Sequence, residues 1–264
     1  MINMGRKRFS HAVILISTVI LAHCSSAKAQ VPLSVDEYRC KIYHSYVEGA
    51  MHKWYSTLEV MENHYAKNKA DELLIEIIRS YYGYIPYALN KEQNDQATAM
   101  LDRAFLYLNS YRNRHPKDAE AISIHSSFLG YRMAIHPIKA VTLGVKCQQL
   151  IQQAVRLAPN NPWVLLDQAN ALLYTPKLFG GDPNLALRTY LKAIALLEKR
   201  GNNSCSWNYL NAYINLAYCQ INIKQYTAAQ QTYNKILTIA PNFKWIKQEL
   251  MPKLQKKIEE ARPH

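Results

Sequence analysis

Between Asn160 and Pro241 the chain repeats one spacing of small and large residues, and that spacing dictates stacked pairs of antiparallel helices. In the last unit Ala217, Ala229, Tyr233 and Pro241 stand 12, 4 and 8 residues apart. Close packing explains the pattern. A small residue on the first helix admits the second, a small residue early on the second answers it, and a large one fills the groove a turn later. A shift of 39 aligns Gly130 with Ala169, Cys147 with Ala186, Ile151 with Tyr190 and Ala154 with Ala193. A shift of 43 aligns Ala186 with Ala229 and Tyr190 with Tyr233. A fainter copy runs through Gly83, Ala97, Leu101 and Ala104. A lone pair exposes an apolar face, so neighbours must stack and a final helix must cap the array.

The predicted fold is therefore all-α. An N-terminal helix covers 34–67, continuing through or breaking near Gly49. Helix pairs follow over about 69–113, 117–158, 162–200 and 206–240, and a capping helix over 243–261. Ser34 and Glu37 have the spacing of a capping box. Asn161-Pro162 and Asp182-Pro183 each set a capping side chain before a proline suited to the first helical position. Pro86 is expected to bend or tighten the last turn of its helix.

Residues 1–29 read as a signal peptide: Arg6, Lys7 and Arg8, an apolar run from Ala12 to Ala22, and Ala27-Lys28-Ala29 as the cleavage site. The rival reading is a lipoprotein acylated at Cys24, which the bulky His23 opposes. Cleavage after Ala29 removes four positive charges and no acids, so the formal charge of +13 becomes +9. A basic surface favours acidic partners or anionic lipid head groups, while no nucleic-acid reader motif is present. Cys40, Cys147, Cys205 and Cys219 remain, none in a C-x-x-C pair. An even count in an oxidising compartment permits bridges. A core of this size does not require them, and free thiols are expected.

Residues 210–241 resemble the tetratricopeptide repeat family. Leu216 and Ala217 match its first-helix signature, Tyr226 its turn aromatic, Ala229 and Tyr233 its second-helix pair, and Pro241 its terminator. Gln220 and Ile236 depart from it, where the family has an aromatic and a small residue. Residues 162–200 match through Ala169, Ala186, Tyr190 and Ala193, around an inserted turn from Thr175 to Asp182. Residues 69–158 match more loosely, with a similar insertion at His136-Pro137. The resemblance implies a right-handed superhelix of antiparallel helix pairs that binds along its first helices. The Phe-Gly-Gly-Asp segment, over 179–182, is also similar to exported repeat proteins of Gram-negative bacteria, including the T-component of tripartite (TRAP) transporters.

Counted one residue beyond the small position, the first helices present Tyr84, Tyr131, Asn170 and Tyr218. With Tyr87, Trp163, Asn211 and Ile214 they form the expected groove, a wall suited to an extended peptide or a small polar ligand. The alternative is that these tyrosines pack between helices with only their hydroxyls wet. His44, Glu48 and His52 recur every four residues and read as a solvated stripe on one helix rather than a metal site. Gly180-Gly181-Asp182-Pro183 reads as a helix cap, without the Lys-Ser or Lys-Thr of a phosphate loop. No catalytic, metal or cofactor motif stands out. The expected function is a non-catalytic periplasmic scaffold binding a protein partner through the tyrosine groove. A ligand-binding accessory of a transport system is the alternative, and the lysine-rich last helix also suits peripheral membrane contact.

Overall fold

The computed structural model describes residues 33–261. The signal peptide, its cleavage after Ala29 and the Cys24 alternative fall outside those residues. Among the described residues the chain forms eleven α-helices and no strand: α1 (Val35–Val47), α2 (Met51–Asn68), α3 (Asp71–Asn90), α4 (Asn94–Arg114), α5 (Ala119–Ile135), α6 (Ala140–Leu157), α7 (Pro162–Tyr174), α8 (Pro183–Arg200), α9 (Trp207–Asn222), α10 (Tyr226–Ile239) and α11 (Met251–Glu260). Consecutive helices pack as antiparallel pairs, which makes the molecule the all-α, tetratricopeptide-like array that the spacing predicted.

Local chemistry sets the helix starts. Ser34 Oγ accepts from the Glu37 backbone while the Ser34 N–H donates to the Glu37 carboxylate at 2.7 Å, a complete capping box. Asp118, Asn161, Asp182 and Ser206 each accept a backbone N–H in the first turn of α5, α7, α8 and α9. Gly49, at φ +67°, takes the left-handed conformation that ends α1. The helix predicted over 34–67 is therefore two helices. Glu48 and His52 fall on either side of the break, so the expected His44–Glu48–His52 stripe does not exist as one helix face. Glu48 instead pairs with Lys53 at 3.5 Å.

The small positions do what close packing asks of them. Ala169, Ala186, Ala193, Ala217 and Ala229 are fully buried, as are Tyr190 and Tyr233. Gly83 is small for a different reason: a Cβ there would lie 2.5 Å from the Trp207 ring and 2.8 Å from Trp54. Gly130 breaks the pattern, since a Cβ there would meet nothing within 4 Å. α5 and α6 touch instead where Ser126 Oγ donates to the Cys147 carbonyl at 2.8 Å.

The first helices of the pairs, α3, α5, α7 and α9, stand side by side, with α1 packed on α3. α1 also packs on α9, which closes the row on itself. Trp207, at the start of α9, fills the middle, with its ring centroid 5.1 Å from Trp54, 6.1 Å from Tyr46 and 6.2 Å from Tyr82. The Tyr46 hydroxyl on α1 donates to Asn211 on α9 at 3.3 Å. A disulfide between Cys40 and Cys205, 165 residues apart, fastens the same junction. Free thiols were expected at all four cysteines, and this bridge corrects that for two of them. The cause is the curvature of the array, which brings α1 back to the segment before α9. Cys147 and Cys219 are free.

Candidate functional site

The side chains expected to line one groove are divided among different surroundings. On α3, Tyr84 is buried and packs edge-on against Trp54, with Tyr55 and Tyr87 beside it. Ile214 is wholly buried in the core between α7, α8, α9 and α10. Neither can face a ligand, which removes both from the groove. α1 covers that stretch of α9, and Tyr46 occupies the Asn211 side chain. Trp163 sits at the start of α7, about 16 Å along the helix from Tyr174 at its end, packed against the same core. The groove fails as a single wall because the ring of first helices turns inward and fills itself with aromatic side chains.

Tyr131 and Asn170 both bond to Tyr82 at the centre, beside a buried carboxylate, Asp167. Asp167 accepts from the Tyr82 hydroxyl at 2.8 Å, Ser123 at 2.6 Å and Ser127 at 2.9 Å. Asn170 donates to Tyr82 at 3.1 Å and accepts from Tyr190 at 2.6 Å and Asn215 at 3.2 Å. The Tyr131 hydroxyl donates to the Tyr82 carbonyl at 3.2 Å. Burial pushes the Asp167 carboxyl up to about 6, against the opposing pull of its three hydroxyl donors. Buried groups joined in this way fix the relative positions of α3, α5, α7, α8 and α9.

Tyr218 lies elsewhere, in a cavity of about 160 Å³ shared with Tyr233, Ile221, Trp245, Leu254 and Asn90. Burial raises its hydroxyl to about 12, with the Tyr174 hydroxyl and Glu249 adding to the shift. Tyr174, which was not among the expected groove residues, is the last residue of α7 and is 65% exposed.

The two insertions leave the fold at that same end, because each follows the C-terminus of a first helix. Pro137–Lys139 and Lys177–Phe179 form matching single turns of 3₁₀ helix. Asp182 anchors the second insertion, donating its backbone N–H to the Leu172 carbonyl at 2.9 Å and capping α8 through Asn184 and Leu185. Gly181 is obligatory here, since a Cβ would fall 1.8 Å from the Thr175 carbonyl oxygen. A Cβ at Gly180 would lie 3.6 Å from the Gln148 side chain, so the second insertion reaches toward α6. Between them they expose Ile138 (86%), Val141 (84%), Val145 (63%), Leu178 (87%) and Phe179 (68%). Lys139, Lys146 and Lys177 are interspersed, and residues 136–149 and 174–181 contain no acid. The signal was present in sequence as apolar residues flanking Pro137 and Pro176, but both segments read as turns.

Among the described residues no group of three or more His, Cys, Asp or Glu is placed to hold a metal ion. No described helix is long and apolar enough to cross a membrane.

A closed row of helix pairs with an apolar, basic end and a polar centre defines a helical-repeat binding scaffold. Residues 210–243 match the family model described as tetratricopeptide repeat, and the neighbouring helix pairs repeat the fold of that unit. The HusA haemophore from Porphyromonas gingivalis has a similar structure, with a TM-score of 0.56 at 18% identity, over 73% of this chain and 96% of that one. No curated protein matches the sequence.

Proposed function

We propose that this protein is an exported, non-catalytic scaffold of the Gram-negative periplasm, and that it binds its partner at the end where the two insertions emerge. The observation that carries the reading is the exposure of Ile138, Val141, Val145, Leu178 and Phe179 on the two insertions and the first half of α6. Monomeric proteins rarely leave an extended apolar patch open unless it is used. The lysines among them favour a protein partner with an apolar face and an acidic rim. The signal-like leader supports export, and so does the Cys40–Cys205 bridge, which persists in oxidising compartments. Export is tested by N-terminal sequencing of periplasmic protein, which is expected to begin at Gln30. Docking is tested by crosslinking in periplasmic extract with wild type and with an Ile138→Glu/Phe179→Glu variant. A partner captured equally by both would refute the assignment of this face.

A second reading is favoured by one finding, the likeness to a protein named a haemophore. On this reading the insertion end carries a flat, apolar, anionic ligand such as haem, in keeping with the ligand-binding accessory weighed from sequence. Native mass spectrometry of protein purified without added ligand, and haem titration followed by visible absorption, separate the two readings. Only the carrier predicts a saturable one-to-one complex that the Ile138→Glu/Phe179→Glu variant loses.

A further inference from the structure

Beside the exposed Leu178 and Phe179 lies an open trough of about 490 Å³, a volume within the range of ligand sites. One wall is the second insertion with the start of α8, and carries Lys177, Asp182 and Asn184. The other is the turn that follows α9, and carries Asn222, Ile223 and Lys224. Both walls are held in place by the fold. The Cys219 thiol on α9 donates to the Pro183 carbonyl at 3.2 Å, which ties α9 to the start of α8. The Asp182 N–H donates to the Leu172 carbonyl at 2.9 Å, which ties the insertion back to α7. A groove shaped before its ligand arrives has less to order on binding.

The polar groups of the trough are not equally free. Asp182 is the one acid that lines it, and its carboxylate already accepts the backbone N–H groups of Asn184 and Leu185. The start of α8 is therefore capped from within and is not what a ligand would meet. Lys177 and Lys224 are exposed, stand on opposite walls and have no ion-pair partner among the described residues. The side-chain amides of Asn184 and Asn222 are exposed and likewise unbonded among the described residues. Each wall thus offers one cation and one amide. Lysines select carboxylates, and amides can both donate to and accept from a peptide main chain. Leu178 and Phe179 follow Lys177 directly, so whatever rests on them continues into the trough.

We propose that the trough receives an acidic segment of the protein partner, its carboxylates at Lys177 and Lys224 and its main chain against the Asn184 and Asn222 amides. This rests on the reading of the insertion end as a docking face. The probes are tetraglutamate and tetraglutamine, capped at both ends, and citrate, titrated calorimetrically into the mature protein at low ionic strength. Saturable binding of tetraglutamate is expected, with tetraglutamine and citrate each about tenfold weaker. Lys177→Met and Lys224→Met, at exposed positions that leave folding intact, are each expected to weaken tetraglutamate about fivefold. Lys67→Met removes the same charge from an exposed position on α2 and is expected to change nothing. No saturable binding of tetraglutamate, or an equal loss in Lys67→Met, would overturn the trough as a site. Citrate binding as tightly as tetraglutamate would overturn a peptide as its occupant. Undiminished partner capture by Lys177→Met/Lys224→Met would overturn the partner as the source of that peptide. Failure of the docking face itself reads out separately, in partner capture by Ile138→Glu/Phe179→Glu.

Discussion

The pairs α5–α6 and α9–α10 start from similar repeat chemistry and end differently. In α9–α10 the turn is short, Ala217 and Ala229 are buried, and Tyr233 fills the groove they leave. In α5–α6 an insertion precedes the second helix, and only Leu150, Ile151 and Ala154 of α6 are buried. The first half of α6, with Val141 and Val145, stands in solvent. α6 still packs closely on α5, so Val141 and Val145 are exposed on a face of α6 that its neighbours leave uncovered. One pair is built to hold, the other to present.

That contrast predicts a ranking of effects. The largest belongs to the junction that the holding region makes with α1. Replacing Cys40 and Cys205 by serine opens a loop of 165 residues. On the chain-entropy model the loss is about 5 kcal/mol, read as a lower denaturation midpoint. Next, Trp207→Ala empties the middle of the ring and is expected to cost about 3–5 kcal/mol in the same measurement.

Third comes Asp167, with a sign that can be stated. Its folded carboxyl is raised to about 6, above the ordinary value of 3.8. The folded state therefore holds the proton more tightly. The resulting stability is full below about pH 3.8 and is lost as pH rises through about 6, a change of about 3 kcal/mol. Chemical denaturation of wild type and Asp167→Asn from pH 4 to 7 should show the wild type losing that amount relative to the variant. Parallel profiles would mean that the hydroxyl donors hold the carboxylate ionised. The smallest effect is expected in the presenting region: Ile138→Glu/Phe179→Glu should stay within about 0.5 kcal/mol of wild type while abolishing partner binding. A large loss of stability there would mean that the insertions are core, and the contrast would fail.

The predicted and observed structures agree where the information is local. Ala217, Ala229 and Tyr233 lie within a few helical turns of one another, so spacing alone conveys their packing. The capping signals at Ser34, Asn161 and Asp182 are read within three residues. What spacing could not convey is how far the row of pairs curves. Closure depends on small angles accumulated over four pairs, and it decides whether α1 meets α9. The Cys40–Cys205 bridge escaped for the same reason, since its partners meet only after the row has turned. Nothing in the sequence around Asp167 announces its burial, because its three hydroxyl donors come from two other helices. Ile138 and Phe179 were legible as apolar but not as exposed, because nothing in a turn motif says which way its tip points.

Fastening α1 to the segment before α9 has a mechanical consequence. Helical-repeat proteins with free ends stretch like springs and fray unit by unit, because each repeat touches only its neighbours. A covalent tie across 165 residues turns the spring into a hoop. Tension between its two anchor points is borne by the sulfur link, so the hoop resists uncoiling until that link is reduced.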